Sequence, residues 1–201
     1  MGEAPLVAAS PGEERGRPGL LTVVFVVGVA VILAADLISK AWAWSFLDQH
    51  GGGYGEYAVF GEWFRLAKAT NTGTIWGLFK GYSGVLTGVR CVMVLVLLAF
   101  AWFTPACQRF KLSGFALTTG GALGNLHDNV FREDRGVRDF LDFHVPLPWR
   151  DTLYHYPTFN IADAAILVGA ISLFIAFGRE GSRSEQSSEQ SSAQGKGEAG
   201  T

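Results

Sequence analysis

Four long apolar runs constrain the fold of this chain more than any other feature. They occupy residues 20–35, 85–104, 112–128 and 161–178 of the 201 positions, and the stretches between them are glycine-rich or charged. A helix needs ~20 apolar residues to cross a bilayer, and each run approaches that length. The sequence therefore predicts an all-α membrane protein with four transmembrane helices.

The composition agrees with a membrane protein and excludes one class of partner. Apolar residues make up 49% of the chain and charged residues 17%, against about 25% charged in a typical soluble domain. The net charge is −2, so no basic stripe is available for nucleic acid. Cys91 and Cys107 lie within or beside one apolar run, which indicates packing residues and no disulfide framework.

Two long connections carry weaker signals of β structure. Residues 57–60, 64–70 and 136–143 are rich in strand-forming side chains or alternate between apolar and polar positions. Tryptophans such as Trp42 and Trp63 are typical of a membrane-surface belt. We therefore expect a small extracytoplasmic β platform lying on the membrane surface.

The chain divides into a central unit and two tails. Residues 1–19 are rich in Gly, Pro and Glu, and residues 179–201 in Ser, Gln, Glu and Gly. This composition predicts a flexible first tail, a disordered second tail and a membrane domain over 20–178. Four spans place both tails on one side of the membrane. The basic pair Arg109 and Lys111 in the shortest loop leans weakly toward the cytoplasm for that side.

Polar residues stand at the ends of the apolar runs with helical spacing. Asp36 and Lys40 are four apart and can pair on one helix face. They either anchor a helix end at the membrane surface or belong to an internal polar site. Asn125 and Asp128 are three apart, and Asn160 and Asp163 repeat that spacing. The third run also holds Gly120 and Gly124, whose spacing favours close helix contact.

One charged residue lies inside an apolar run, and the histidines lie outside the runs' centres. Arg90 stands near one end of the second run, where its side chain can reach the membrane surface. His144, His155 and Asp151 match no familiar metal-ligand spacing, so no metal site is predicted. We expect the histidines to be interfacial or solvent-exposed.

The chemistry that remains is that of carboxylates and amides. The sequence has no Gly-x-Ser-x-Gly and no His-Glu-x-x-His. Two close carboxylates in a poorly hydrated site share a proton, so one can activate a water while the other donates to a carbonyl oxygen. Four spans bring one set of candidates to a single membrane face: Asp36, Lys40, Asn71, Asn125, Asp128, Asp139, Asn160 and Asp163.

Five short motifs resemble those of the lipoprotein signal peptidases, also called signal peptidase II. Residues 36–40 resemble the D-x-x-[ST]-K of that family, and residues 71–77 resemble its N-x-G-x-x-[FW]-G. Residues 120–128 resemble G-G-A-x-G-N-x-x-D, residues 136–140 resemble V-V-D-F, and residues 159–163 match F-N-x-A-D. The motifs occur in the family's order over residues 20–178.

The resemblance implies an intramembrane aspartic endopeptidase of the bacterial inner membrane, without metal or organic cofactor. It would remove the signal peptide from diacylglyceryl-modified prolipoproteins by cutting on the amino side of the lipidated cysteine, with its active site at the outer face. Its partners would be these substrates and membrane lipid, and we expect a monomer. The catalytic pair carries over to Asp139 and Asp163. The supporting residues carry over to Asp36, Lys40, Asn71, Gly73, Asn125, Asp128 and Asn160.

Two positions depart from the family's pattern. The arginine expected after Asp128 is Asn129, so Arg132 or Arg135 is expected to replace it from the following loop. Arg138 stands where the family has an apolar residue. These departures leave a rival pairing of Asp163 with Asp128, and Asp142 ranks third.

An alternative from another functional class is a non-enzymatic four-helix membrane carrier, or a factor that binds lipoproteins without cutting them. A carrier tends to place its site near the membrane midplane between repeated halves. No internal repeat is visible here, and the acidic residues stand at helix ends.

Overall fold

The computed structural model describes residues 18–72, 83–105, 107–147, 149 and 152–198. These residues form four α-helices, one short 3-10 helix (Gly52–Tyr54) and four strands. The helices are α1 (Pro18–His50), α2 (Ser83–Phe103), α3 (Arg109–Phe131) and α4 (Ile161–Glu198). The strands are β1 (Glu56–Phe60), β2 (Phe64–Asn71), β3 (Val137–Val145) and β4 (Tyr154–His155).

Three of these helices are long and apolar enough to cross a membrane. The spanning segments are Val23–His50, Gly84–Phe103 and Ile161–Ser182. Helix α3 is less apolar, and it is also the central helix, since it packs against α1, α2 and α4. A helix enclosed by other helices has few side chains facing lipid, which removes the need for an apolar surface all round.

Glycines on α3 allow this central position. A Cβ atom on Gly120 would come within 2.8 Å of Ile32 on α1, and one on Gly124 within 2.3 Å of Asp36. On the α4 side, a Cβ on Gly121 would lie 2.4 Å from the backbone oxygen of Ala162. The predicted close-contact face of Gly120 and Gly124 is therefore confirmed, and it faces α1.

Helix α1 is longer than the first apolar run. It continues without a break through residues 41–50, well beyond the apolar run 20–35 from which the helix was predicted. These ten positions contain no glycine or proline, and the glycine run that starts at Gly51 ends the helix. Ala43 and Leu47 in this extension pack against Leu66 and Phe140 of the sheet. The extension therefore attaches the platform to the helix bundle.

The four strands form one antiparallel sheet in the order β1-β2-β3-β4. The predicted strands all form, each within two residues of the expected bounds. Beyond β4, Phe159 pairs with Leu141 of β3: Leu141 N donates to Phe159 O at 2.9 Å, and Phe159 N to Leu141 O at 3.1 Å. This pairing brings the residue before Asn160 alongside the strand that carries Asp139.

The end of the chain also differs from the expectation. Helix α4 continues to Glu198, across most of the tail predicted to be disordered. Residues 179–198 contain no proline and several good helix formers, including Glu, Gln, Lys and Ala, and their glycines are isolated and do not form a run like the one that ends α1. Residues 1–17 of the first tail lie outside the described residues.

We predict that Gly121→Ala destabilises the protein by about 1–3 kcal/mol, the usual cost of overpacking. The added methyl group would meet a backbone oxygen of α4, which no side-chain rotation can relieve. The measurement is thermal unfolding in detergent. The control is Gly88→Ala on α2, where a Cβ meets nothing within 4 Å. Equal unfolding temperatures for the two variants would contradict this role for Gly121.

Candidate active site

The polar residues predicted from the helix ends meet where α1, α3, β3 and the start of α4 come together. Asp36, Lys40, Asp128 and Asn160 are fully buried, and Asn125 and Asp139 are 5% and 2% exposed. Asp163 is partly exposed. The cluster thus combines an enclosed interior with one carboxylate that reaches its edge.

Asn160 and Asp163 form a reciprocal cap at the start of α4. The Asn160 side-chain oxygen accepts from the backbone N–H of Asp163 at 2.9 Å. The Asp163 carboxylate in turn accepts from the backbone N–H of Asn160 at 3.3 Å. This is the geometry of a capping box, in which two unpaired N–H groups of the first turn are satisfied together. The three-residue spacing seen in the sequence therefore fixes the position of Asp163.

Two amide side chains connect the carboxylates of Asp139 and Asp163. Asn160 Nδ2 donates to Asp139 Oδ1 at 2.6 Å and to Asn125 Oδ1 at 3.1 Å. Asn125 Nδ2 donates to Asp163 Oδ1 at 2.7 Å. The two carboxylates are thus linked through one chain of amides. Asn71, the last residue of β2, also hydrogen-bonds to Asp139.

Lys40 and Asp36 lie inside the bundle, so the interpretation of a helix-end anchor at the membrane surface is wrong. Lys40 Nζ donates to Asp36 Oδ2 at 2.7 Å and to Asn125 Oδ1 at 3.0 Å. Asp36 Oδ1 accepts from the backbone N–H of Ala162 in the first turn of α4 at 3.0 Å. The pair therefore ties α1 to the start of α4 and orients Asn125.

Arg138 pairs with Asp128. Its guanidinium donates to Asp128 Oδ1 from Nη2 at 2.7 Å and to Oδ2 from Nε at 3.2 Å, and its backbone N–H donates to Oδ2 at 2.9 Å. The expectation that Arg132 or Arg135 would take this place is wrong, because Arg138 occupies it, and the Arg132 guanidinium pairs with Asp134 instead. The two departures from the family's pattern are thus adjacent in space.

Arg90 is a site residue that the sequence analysis missed. Its guanidinium does not turn to the membrane surface but donates to the Asn129 side-chain oxygen. It also interacts electrostatically with Asp163 and Asp139. An arginine inside an apolar run is costly unless it faces a polar interior, and this rule was the one signal that could have found it.

The environment of Asp139 favours its protonated form. Burial raises the pKa of Asp139 from 3.8 to about 7, and the nearby Asp163 carboxylate adds to the shift. Hydrogen bonds from Asn71 and Asn160 and the charge of Lys40 oppose it. Asp139 can therefore hold a proton near neutral pH beside a second carboxylate, which is the arrangement that acid–base hydrolysis requires.

The remaining candidates have other surroundings. Asp128 is held by Arg138 and lies 3.5 Å from Lys40 Nζ, which is the setting of a structural ion pair. Asp142 contacts His144 and His155. Gly73 lies outside the described residues.

Comparisons with known proteins give consistent results. The family model for "Signal peptidase (SPase) II" matches residues 28–178. A lipoprotein signal peptidase of Clostridium novyi is 35% identical over 147 residues, covering 73% of this chain and 91% of the relative. One of Francisella tularensis subsp. novicida is 32% identical over 151 residues, covering 73% and 86%. A solved bacterial membrane enzyme has the same fold, with a TM-score of 0.64 and 22% identity over 80% of this chain and 91% of that one.

Helices long enough to cross the bilayer, and a polar cluster buried where they meet a small sheet, define a multi-pass membrane protein with an internal carboxylate site. The chain belongs to the signal peptidase II family, as the match over three quarters of its length shows.

We predict that Asp139→Asn makes the protein more stable than wild type above pH 7. In the unfolded chain this carboxyl loses its proton near pH 4, whereas in the folded protein it does so near pH 7. Between these values the unfolded state binds fewer protons, so wild-type stability falls as pH rises. The gain should be on the order of 1–3 kcal/mol at pH 8 and vanish near pH 4. The measurement is the free energy of unfolding of both proteins over pH 4–8, and a constant difference between them would contradict the prediction.

We predict that Arg138→Gln destabilises the protein by on the order of 3 kcal/mol, since it leaves the buried Asp128 carboxylate without its bidentate partner. Arg132→Gln is the matched control, because it removes the same contacts from Asp134, which is 44% exposed. Such an exposed pair contributes ~1 kcal/mol or less. Chemical denaturation in detergent measures both variants, and equal losses would show that the Asp128 pair is not special.

Proposed function

We propose that this protein is an intramembrane aspartic endopeptidase that removes the signal peptide from diacylglyceryl-modified prolipoproteins. It cuts on the amino side of the lipidated cysteine, with Asp139 and Asp163 as its catalytic pair. Membership of a peptidase family supports the reaction, and the relatives named lipoprotein signal peptidase support the substrate class. The alternative of a non-enzymatic carrier or lipoprotein-binding factor is not favoured.

The observation that carries the proposal is the amide chain that joins Asp139 to Asp163. Asp139 holds the proton near neutral pH, so it acts as the general acid. Asp163, partly exposed and held by the cap at the start of α4, acts as the general base. A water held between the two carboxylates would be activated without a metal.

The proton transfers balance over one cycle. Asp163 accepts a proton from the water as the water oxygen attacks the scissile carbonyl carbon, and Asp139 donates its proton to the carbonyl oxygen. In the second step the tetrahedral intermediate collapses, and Asp163 passes its proton to the leaving amine of the lipidated cysteine. Asp139 recovers a proton from a hydroxyl group of the intermediate as the new carboxyl product forms. Both carboxyl groups end as they began.

The supporting residues act by position. Asn160 and Asn125 hold the two carboxylates through their amide groups, and Lys40 holds Asn125. Asn71 orients Asp139, and the Asp36 and Asp128 carboxylates brace α4 and β3. Gly73 follows Asn71 in the motif and is proposed to leave room for the substrate backbone.

The proposed placement in the membrane follows from the site. The 23 residues of α3 span about 35 Å at 1.5 Å per residue, which is long enough for a fourth transmembrane helix. Residues 20–178 would then form the peptidase domain, with both tails cytoplasmic and the sheet and active site at the outer face of the inner membrane. The carboxylates and their partners come from one chain, which supports an active monomer in contact with membrane lipid.

The test is cleavage of a lipidated prolipoprotein by purified variants in bilayers. We expect Asp139→Asn and Asp163→Asn each to lower the rate at least about 100-fold, because each removes an acid–base group. Asp134→Asn, which alters an exposed loop carboxylate, should cleave normally. Each variant is also checked for thermal unfolding.

Several outcomes would change the assignment. Normal cleavage by Asp139→Asn or by Asp163→Asn would remove that residue from the mechanism. An active Asp139→Asn together with an inactive, folded Asp128→Asn would give the role to Asp128. Failure of the wild type to cleave any lipidated precursor, with substrate still bound, would favour the non-enzymatic alternative.

A further inference from the structure

A second cluster of ionisable side chains lies on the β3–β4 hairpin, outside the catalytic pair. Asp142 and His144 are two residues apart on β3, and His155 on β4 pairs directly with His144 in the sheet register. One ligand atom from each of the three lies within 4.8 Å of the others. His144 Nε2 is 3.0 Å from Asp142 Oδ2, and His155 Nε2 is 2.5 Å from Asp142 Oδ1.

We propose that Asp142, His144 and His155 bind one zinc-like divalent transition-metal ion. Two imidazole nitrogens and a carboxylate oxygen are ligands that zinc uses, with water at the fourth position. Tetrahedral ligand atoms about 2.0–2.1 Å from zinc lie about 3.3 Å from each other. The three candidate ligand atoms lie within 4.8 Å of one another, so small side-chain movements would bring them to that spacing around the ion.

The charge of Asp142 supports a cation at this place. Its side chain is 6% exposed, and a buried carboxylate needs a compensating positive charge. Among the described residues its ion-pair partners are the two histidines, and a histidine supplies a full charge only when protonated. Arg65 faces Asp142 in the sheet register but pairs with Glu56. A bound dication would add a compensating charge in direct contact with Asp142 without protonating either ring.

The two histidines differ in access, which provides an entry path. The His144 side chain is 20% exposed and the His155 side chain is 58% exposed. Their rings are 4.8 Å apart and tilted by 33°, and both turn Nε2 toward the same carboxylate. The ion would enter from solvent past His155 and reach the buried Asp142 last.

The consequence of binding is structural. Strand β4 has two residues, and its pairing with β3 consists of His144 with His155 and Val145 with Tyr154. A metal ion bound on both strands closes this short ladder. Asp139 lies three residues before Asp142 on β3, and the chain leaving β4 runs through Phe159 to Asn160. The ion would therefore brace β3, which carries Asp139, and β4, which precedes the start of α4 and Asp163, without taking part in hydrolysis.

The test uses the full-length protein in detergent, with any histidine tag removed and metal stripped by a chelator. Zinc chloride is the probe, and calorimetric titration reports stoichiometry and affinity. We expect one zinc ion per chain and a higher unfolding temperature with zinc. His155→Gln, which alters an exposed side chain, should lower the affinity at least about tenfold and abolish the thermal shift. His50→Gln, an exposed histidine outside the cluster, should bind as wild type does.

A second measurement covers any variant that folds poorly. X-ray absorption at the zinc edge of the wild-type protein should show nitrogen and oxygen ligands, two of them imidazoles. Failure of the wild-type protein to bind added zinc would overturn the proposal. So would a zinc affinity equal to that of the wild type in both His155→Gln and Asp142→Asn. Because binding is measured without substrate, its failure is distinguishable from failure of the proposed peptidase activity.

Discussion

The first turn of α4 is the point on which the site depends. A buried helix start leaves backbone N–H groups that need acceptors, and here two of them are satisfied from different parts of the chain. Asn160 accepts from Asp163, and Asp36 of α1 accepts from Ala162. The same hydrogen bonds hold Asp163 in the first turn of α4, beside Asn160, which donates to Asp139 of β3. The hydrogen bonds that cap the start of α4 thus also fix the position of the Asp163 carboxylate.

The charges of the site balance when one carboxyl group keeps its proton. Three cationic side chains and four carboxyl groups meet among the described residues, and burying an unpaired charge is costly. Protonating Asp139 leaves three carboxylates facing three cations, which agrees with the raised pKa of Asp139. The cations are Lys40, Arg90 and Arg138, and the other acids are Asp36, Asp128 and Asp163. The proton that the proposed mechanism requires on Asp139 is consistent with this balance.

The two departures from the family's pattern, Asn129 and Arg138, are explained by the contacts that these residues make in the folded protein. Arg138 reaches Asp128 from a neighbouring strand, so a guanidinium still faces that carboxylate although the position after it is Asn129. The side-chain oxygen of Asn129 accepts a hydrogen bond from Arg90 of α2. Positive charge at this end of α3 is thus supplied by two elements outside the helix, α2 and β3.

Hydrophobic run length and residue spacing determined the elements of this protein. They predicted the apolar helices, the strands of the platform, the glycine face of α3 and the same-face pair Asn160 and Asp163, because these depend on local periodicity. Run length did not predict the full α1 or the helical end of α4, since a helix can extend beyond its apolar part until a proline or a run of glycines ends it. Only the tertiary structure decided that Asp36 and Lys40 are internal, that Arg138 pairs with Asp128 and that Arg90 turns inward. Such contacts join residues up to 126 positions apart, and no local pattern encodes which charge finds which partner.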